Sequence, residues 1–232
     1  MPRRVGILGG MGPQATVLLM SRIIAAVPAA DDRDHVPLIV DQNPQVPSRI
    51  ARLIEGTGED PAPVLAAMAR RLEAAGAEAL AMPCNTAHHF APAIAAAVTI
   101  PLLDMVTLSV AHAARLAGPD GRIGVLASPA LRRIGLFDGR LAQAGLTAVY
   151  PDDEAALLGA IRRIKAGDAD AEARAALQRA SAQLVAAGVA TQMIACTEFS
   201  LIADSTAEGA RAFDTLDVLV GAIVDVSLAR DA

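Results

Sequence analysis

A chain of 232 residues that is 53% hydrophobic carries enough apolar surface for one large α/β domain or two small lobes. Four Phe, one Tyr and no Trp offer no stacking platform for single-stranded nucleic acid, and a net charge of −5 without a basic tract argues against nucleic acid or an anionic membrane as partner. No apolar run reaches membrane-spanning length and two cysteines make no disulfide framework, so a reducing, cytoplasmic setting is expected.

In chain order, Arg4–Leu8 reads as a buried first strand. Arg3 and Arg4 loosely imitate the start of a signal peptide, but the apolar run is too short and breaks into Gly9, Gly10, Gly12 and Pro13. Val36–Val40 is the next strand. A helix follows, with Asp60 as its cap, Pro61 at its first position and Gly76 as its stop. Glu78–Met82, Arg122–Leu126, Thr147–Tyr150 and Gln192–Ala195 are further buried strands. A helix from Ala169 to Ala187 stops at Gly188, and another follows Asp214. Strands alternating with Ala-rich helical stretches predict an α/β fold with short parallel sheets flanked by helices.

The chain also resembles itself. Leu72 to Cys84 aligns without a gap on Leu184 to Cys196, matching Leu72/Leu184, Ala74/Ala186, Ala75/Ala187, Gly76/Gly188 and Cys84/Cys196. Val5-Gly-Ile-Leu-Gly echoes Ile123-Gly-Val-Leu-Ala at a nearby offset. Two pseudo-symmetric lobes are therefore expected, with residues 1–101 plus 205–232 as the N-terminal lobe, 102–204 as the C-terminal lobe, and the active site in the cleft between them.

Each lobe places its one cysteine just after a buried strand, at the carboxyl end where open α/β sheets bind ligands. Two such thiols facing across a cleft suit inversion of a stereocentre, which needs a base on one face of a carbon and an acid on the other. Hydrogen-bond reach on each side implies sulfurs roughly 7 Å apart. Asn85 and Thr86 after Cys84, and Thr197 and Glu198 after Cys196, add polar groups, and backbone N–H groups of the helices expected next would favour a thiolate or a bound carboxylate. The competing readings are plain: two buried small hydrophobes, a disulfide, or a zinc site. His88 and His89 lie near Cys84, but no C-x-x-C or H-x-x-x-H spacing exists, so no metal is expected.

At these residues the chain resembles the aspartate/glutamate racemase family, and its aspartate racemases in particular. The resemblance rests on Gly6-Ile-Leu-Gly-Gly-Met-Gly-Pro-Gln-Ala-Thr16, Asn43-Pro-Gln-Val-Pro-Ser-Arg49, Met82-Pro-Cys-Asn-Thr-Ala-His88 and Cys196-Thr-Glu198, with weaker echoes at Ile164-Lys165 and Phe213-Asp-Thr215. It implies cofactor-independent racemisation of an acidic amino acid by two-base proton transfer between Cys84 and Cys196, in a homodimer. Asn85, Thr86 and Thr197 would hold the substrate's α-carboxylate, and Arg49 and Lys165 would hold its side-chain carboxylate or tune the thiols. Met11 in the glycine loop, Ser128 and Glu198 complete the implied substrate contacts. Glu198 stands where glutamate racemases usually have His, which favours aspartate. One stretch departs from the family: a Thr-x-x-Thr-like substrate loop is replaced by Ser128-Pro-Ala-Leu-Arg-Arg-Ile134, where Ser128 supplies one hydroxyl and Leu131 cannot supply the other.

Other readings have their own residues. Gly10-Met-Gly-Pro-Gln-Ala15 fits G-x-G-x-x-A after a strand, and Asp41 stands where a dinucleotide fold places its ribose acid, which suggests an NAD-dependent dehydrogenase but leaves the paired cysteines unexplained. Arg49 by default is a solvated residue, Lys165 a charge at a helix carboxyl end, and Arg132-Arg133 a solvated pair or a replacement for the missing loop contacts. Hydantoin racemase, maleate isomerase and an arylmalonate-decarboxylase-like lyase share the wider superfamily, and a non-catalytic ligand-binding homologue fits the altered loop.

Overall fold

The computed structural model describes residues 2–118 and 120–228. β1 (Val5–Gly9) leads into α1 (Pro13–Ala26), β2 (Leu38–Gln42), α2 (Ala62–Ala74), β3 (Ala79–Ala81), α3 (Ala91–Ala95), β4 (Leu102–Leu103) and α4 (Met105–Leu116). The pattern then recurs as β5 (Arg122–Leu126), α5 (Pro129–Arg133), α6 (Asp138–Gln143), β6 (Thr147–Val149), α7 (Glu154–Lys165), α8 (Ala171–Ala186), β7 (Thr191–Ile194), β8 (Arg211–Asp214) and α9 (Thr215–Leu228). All neighbouring strands run parallel, in the order β2-β1-β3-β4 in one sheet and β6-β5-β7-β8 in the other.

Contacts divide the chain into two units, one comprising residues up to Leu108 and from Leu216 onward, the other Ser109–Thr215. The junctions expected after 101 and 204 are thus corrected. β8 is bonded along its length to β7, from Thr191–Arg211 to Ile194–Asp214, so the chain stays in the second unit until Asp214. The other boundary falls inside α4.

In the first unit, side chains alternate across the sheet as strand geometry requires. Leu8 and Leu80 join Leu65, Met68 and Leu72 of α2 in one cluster. Val5, Ile7 and Ala81 join Leu19 and Ile23 of α1 and Leu216, Leu219 and Ile223 of α9 in another. In the second unit, Leu126 and Ile194 pack with Leu157, Ile161 and Ile164 of α7 and Leu177 and Leu184 of α8. No helix among the described residues is long and apolar enough to cross a membrane.

The sequence repeat recurs in atomic detail. α2 and α8 end in the same motif: Gly76 and Gly188 have φ of +92° and +78°, a left-handed turn that a side chain would strain. Ala77 N–H then donates to Leu72 O and Val189 N–H to Leu184 O, at 3.0 and 2.8 Å. These ends press on matching strand glycines. A Cβ on Gly6 would meet Leu72, Ala77 and Leu80, and one on Gly124 would meet Leu184, Val189 and Gln192. The same register that aligns Cys84 with Cys196 therefore aligns the contacts that fix β3 and β7.

Candidate active site

Cys84 lies in the loop leaving β3 and is 8% exposed; its N–H donates to Met82 O at 2.8 Å. Its carbonyl meets His88 Nδ1 at 2.9 Å, while Met105 N–H, at the start of α4, donates to His88 Nε2 at 3.1 Å. An acceptor Nε2 leaves the ring proton on Nδ1, so His88 donates to Cys84 O and is a neutral strut between the cysteine loop and α4. Asn85 is buried and Thr86 half-buried in the same loop. Met11, 2% exposed, belongs to the same hydrophobic cluster as Cys84, Leu8 and Val46. His89 is exposed and packs edge-on against Phe90.

Arg49 sits in the loop between β2 and α2. Its Nη1 donates to Val46 O and Pro47 O at 3.0 and 2.7 Å, which fixes the guanidinium to its own loop. No carboxylate pairs with it among the described residues. Asp41 is different: Arg71 of α2 grips it through Nε and Nη2 at 3.1 and 2.6 Å. A ribose would have to displace that guanidinium, so the dinucleotide reading loses its acid.

Cys196 occupies the matching place after β7 and is 6% exposed, flanked by fully buried Thr197. Its Sγ donates to Glu198 Oε2 at 3.1 Å, and Lys165 Nζ, at the end of α7, lies 2.6 Å from Glu198 Oε1. Burial first, and then the Glu198 charge and hydrogen bond, push the Cys196 thiol well above its usual range, while Lys165 pulls it back. Four residues after the cysteine, where the first unit has His88, Ser200 Oγ donates to Asp214 Oδ1 at 2.8 Å, and Thr215 Oγ1 donates to Ile194 O. Both thiols are free.

The segments after the cysteines are not the regular helices expected. Thr86–Phe90 and Phe199–Ser205 are 3-10 turns, the second kinked at Ile202. They offer local N–H groups rather than a long helix dipole. Ser128, the N-cap of α5, is buried, and its Oγ has no hydrogen-bond partner. Leu131 is wholly buried, and Arg132 turns to Glu154 at 3.0 Å and to the Tyr150 ring. Arg132 is thereby engaged at an exposed network, not at Ser128.

Residues 8–223 match the family described as Asp/Glu/hydantoin racemase. The chain belongs to that family. It is similar to the broad specificity amino-acid racemase RacX of Bacillus subtilis, 31% identical over 106 residues, a stretch covering 44% of this chain and 45% of that protein. The chain thus matches less than half the length of this curated relative. Among solved structures it is similar to the Picrophilus torridus aspartate racemase, with a TM-score of 0.86 and 25% identity over 97% of this chain and 94% of the other. The glutamate racemase isoform RacE1 of Bacillus anthracis, 16% identical with a TM-score of 0.69 over 99% and 84% of the two chains, shares the fold.

Within this racemase family the expected site residues separate into two groups, each described in its own unit. Met11, Arg49, Asn85 and Thr86 belong to the unit of Cys84, and Ser128, Lys165, Thr197 and Glu198 to that of Cys196. Glu198 was expected as a substrate contact and Lys165 as a holder of the side-chain carboxylate or a tuner of the thiols; the structure joins both to Cys196 in one chain of contacts. The spacing Cys-x-Glu was the only local signal, because Lys165 is brought in by α7. Among the described residues no group of three or more His, Cys, Asp and Glu side chains is gathered as a metal site requires.

Proposed function

We propose that the protein is a cofactor-independent amino-acid racemase acting on an acidic amino acid, with aspartate the expected substrate. The observation that carries the reading is the pair of cysteines at repeat-matched strand ends, each held in a hydrogen-bonded loop. Cys84 and Cys196 serve as the two bases, which requires their sulfurs to approach one α-carbon from opposite faces. One thiolate takes the α-proton; the electron pair remains on the substrate as an enediolate, and the other thiol returns a proton to the far face. Asn85, Thr86 and Thr197 are assigned to the α-carboxylate, whose charge grows in the transition state. Met11 and Ser128 are further proposed substrate contacts. Arg49, with no carboxylate of its own among the described residues, is assigned to the side-chain carboxylate. Similarity to an aspartate racemase supports the substrate class. A homodimer in a reducing, cytoplasmic compartment belongs to the same proposal, and sedimentation of the purified protein tests its oligomeric part.

The decisive experiment incubates the purified protein with D- or L-aspartate in deuterated water and follows circular dichroism and α-deuteration. Racemisation with solvent isotope in the product is expected. Cys84→Ala and Cys196→Ala should each abolish it, and unchanged turnover in either variant would refute the two-base assignment. Arg49→Ala should lose far more activity with aspartate than with alanine; equal losses would place Arg49 elsewhere.

A second reading is a wider substrate range. It is favoured by Leu131, which is wholly buried and carries no hydroxyl in the altered loop, and by similarity to a broad specificity racemase. A panel of neutral and basic amino acids under the same assay separates the two readings.

A further inference from the structure

The two cysteine loops are alike in backbone and unlike in charge. Glu198 stands two residues after Cys196, and the matching position after Cys84 is Thr86. Only the second loop binds its sulfur to a carboxylate: Cys196 Sγ to Glu198 Oε2 at 3.1 Å, with Glu198 Oε1 held by Lys165 Nζ at 2.6 Å. Glu198 is buried, with Lys165 Nζ against one carboxyl oxygen and the Cys196 thiol against the other. A carboxylate accepts from a thiol and repels a thiolate. The charged groups acting on Cys196 are Glu198 from its own loop and Lys165 from the end of α7. The hydrophobic cluster it joins contributes Leu126, Ile164 and Phe199, which add desolvation and no charge.

We propose that Glu198, anchored by Lys165, is a positioning residue that holds the proton on Cys196 and so makes Cys196 the proton donor of the pair. Lys165 thereby serves the thiol through Glu198. The inference deepens the racemase reading and rests on it only for its kinetic consequence. In a turnover that uses Cys196 as the donor, the Cα–H bond breaks as Cys84 Sγ–H forms. Cys196 Sγ–H then breaks as the new Cα–H bond forms. Water afterwards returns a proton to Cys196 and takes one from Cys84, so no proton is consumed. Two enantiomers are of equal energy, so the ratio of their kcat/KM values is fixed whatever the thiols do. The asymmetry is read instead from the thiols themselves and from the alkaline limb of the pH–rate profile.

The test alkylates the full-length protein with iodoacetamide, without substrate, between about pH 6 and 10, and follows each cysteine by peptide mass spectrometry. The two sulfur residues are similarly buried, and the pH midpoint of alkylation is independent of access. The Cys196 midpoint should lie above that of Cys84. Glu198→Gln should lower it and speed Cys196 alkylation at neutral pH by about tenfold or more, as a one-unit shift requires, while Cys84 stays within about twofold. The alkaline limb of the racemisation profile should move down in the same variant. A wild-type Cys196 midpoint at or below that of Cys84, or a Cys196 rate unmoved by Glu198→Gln, overturns the proposal. Should the variant unfold, both cysteines accelerate together and the wild-type midpoints decide. Failure of the racemase reading would appear separately, as wild-type protein that neither racemises nor deuterates aspartate.

Discussion

The loop after β3 and the loop after β7 answer the same structural problem with different chemistry. Both leave the third strand in sequence of a four-stranded parallel sheet, and both follow a helix closed by the same glycine turn. Beyond that backbone they diverge. The first is braced by a neutral imidazole that bridges two main-chain groups, Cys84 O and Met105 N–H. The second is braced by charges: Glu198 with Lys165 at the sulfur, and Asp214 with Ser200 behind it. The repeated backbone therefore determines where each sulfur stands, while the residues two and four places later determine what braces each loop. The repeat supplies two matched loops, and a few side chains make them chemically different.

The comparison is tested most strongly at the braces. His88→Ala removes a ring that satisfies two buried main-chain groups and leaves a cavity, so a loss on the order of 3 kcal/mol is expected in denaturant unfolding. Ser200→Ala removes one hydrogen bond to Asp214 and should cost about 1 kcal/mol. A larger loss at Ser200 than at His88 would mean that the charged brace carries the second loop mechanically, and the contrast between the loops would fail. Smaller effects are expected at the matched glycines. In Gly6→Ala the new Cβ meets Ala77 Cβ at 2.9 Å and Leu72 Cβ at 3.1 Å, atoms fixed to their backbones. In Gly124→Ala it meets Leu184 Cδ1 at 2.8 Å and Gln192 Cγ at 3.0 Å, which lie farther out on flexible chains. Overpacking should cost about 2 kcal/mol at Gly6 and about 1 kcal/mol at Gly124. Equal costs would show that the second unit is as stiffly packed as the first.

Much of this scaffold is legible in the sequence, because its determinants are local. Gly76 and Gly188 end their helices, Asp170 accepts from Ala173 N–H at the start of α8, and Arg122–Leu126 forms a strand over the residues its pattern indicates. Asp60 accepts from Ala62 N–H, although the helix it precedes begins at Ala62 rather than Pro61. Two strands escape a local reading. β4 is only Leu102–Leu103, and β8, Arg211–Asp214, has no apolar run because its outer residues are exposed. Each is defined by its bonded neighbour, and overlooking β8 misplaced the return to the first unit. The matched placement of the two cysteines was legible through the repeat. The Glu198–Lys165 pair was not, since it depends on where α7 ends relative to the loop after β7. Gln192 shows the same limit: it stands in β7 where the first repeat has Leu80, and is buried only because Ser181 and Val189 satisfy its amide.

The smallest expected change in stability sharpens the contrast at Ser128. A serine at a helix N-cap normally accepts from the backbone, and its replacement by alanine costs about 1 kcal/mol. Ser128 caps α5 without making that bond, and its buried Oγ has no partner. A buried hydroxyl left unbonded is itself unfavourable, so Ser128→Ala should leave unfolding free energy within about 0.5 kcal/mol of wild type or raise it slightly. If the hydroxyl meets substrate, the same variant should raise KM for aspartate several-fold. Stability lost by more than about 1 kcal/mol would give the hydroxyl a structural partner and end its substrate role. Unchanged KM with unchanged stability would mean that the altered loop contributes no hydroxyl at all, and substrate recognition would then fall to Arg49 and the residues beside the two cysteines.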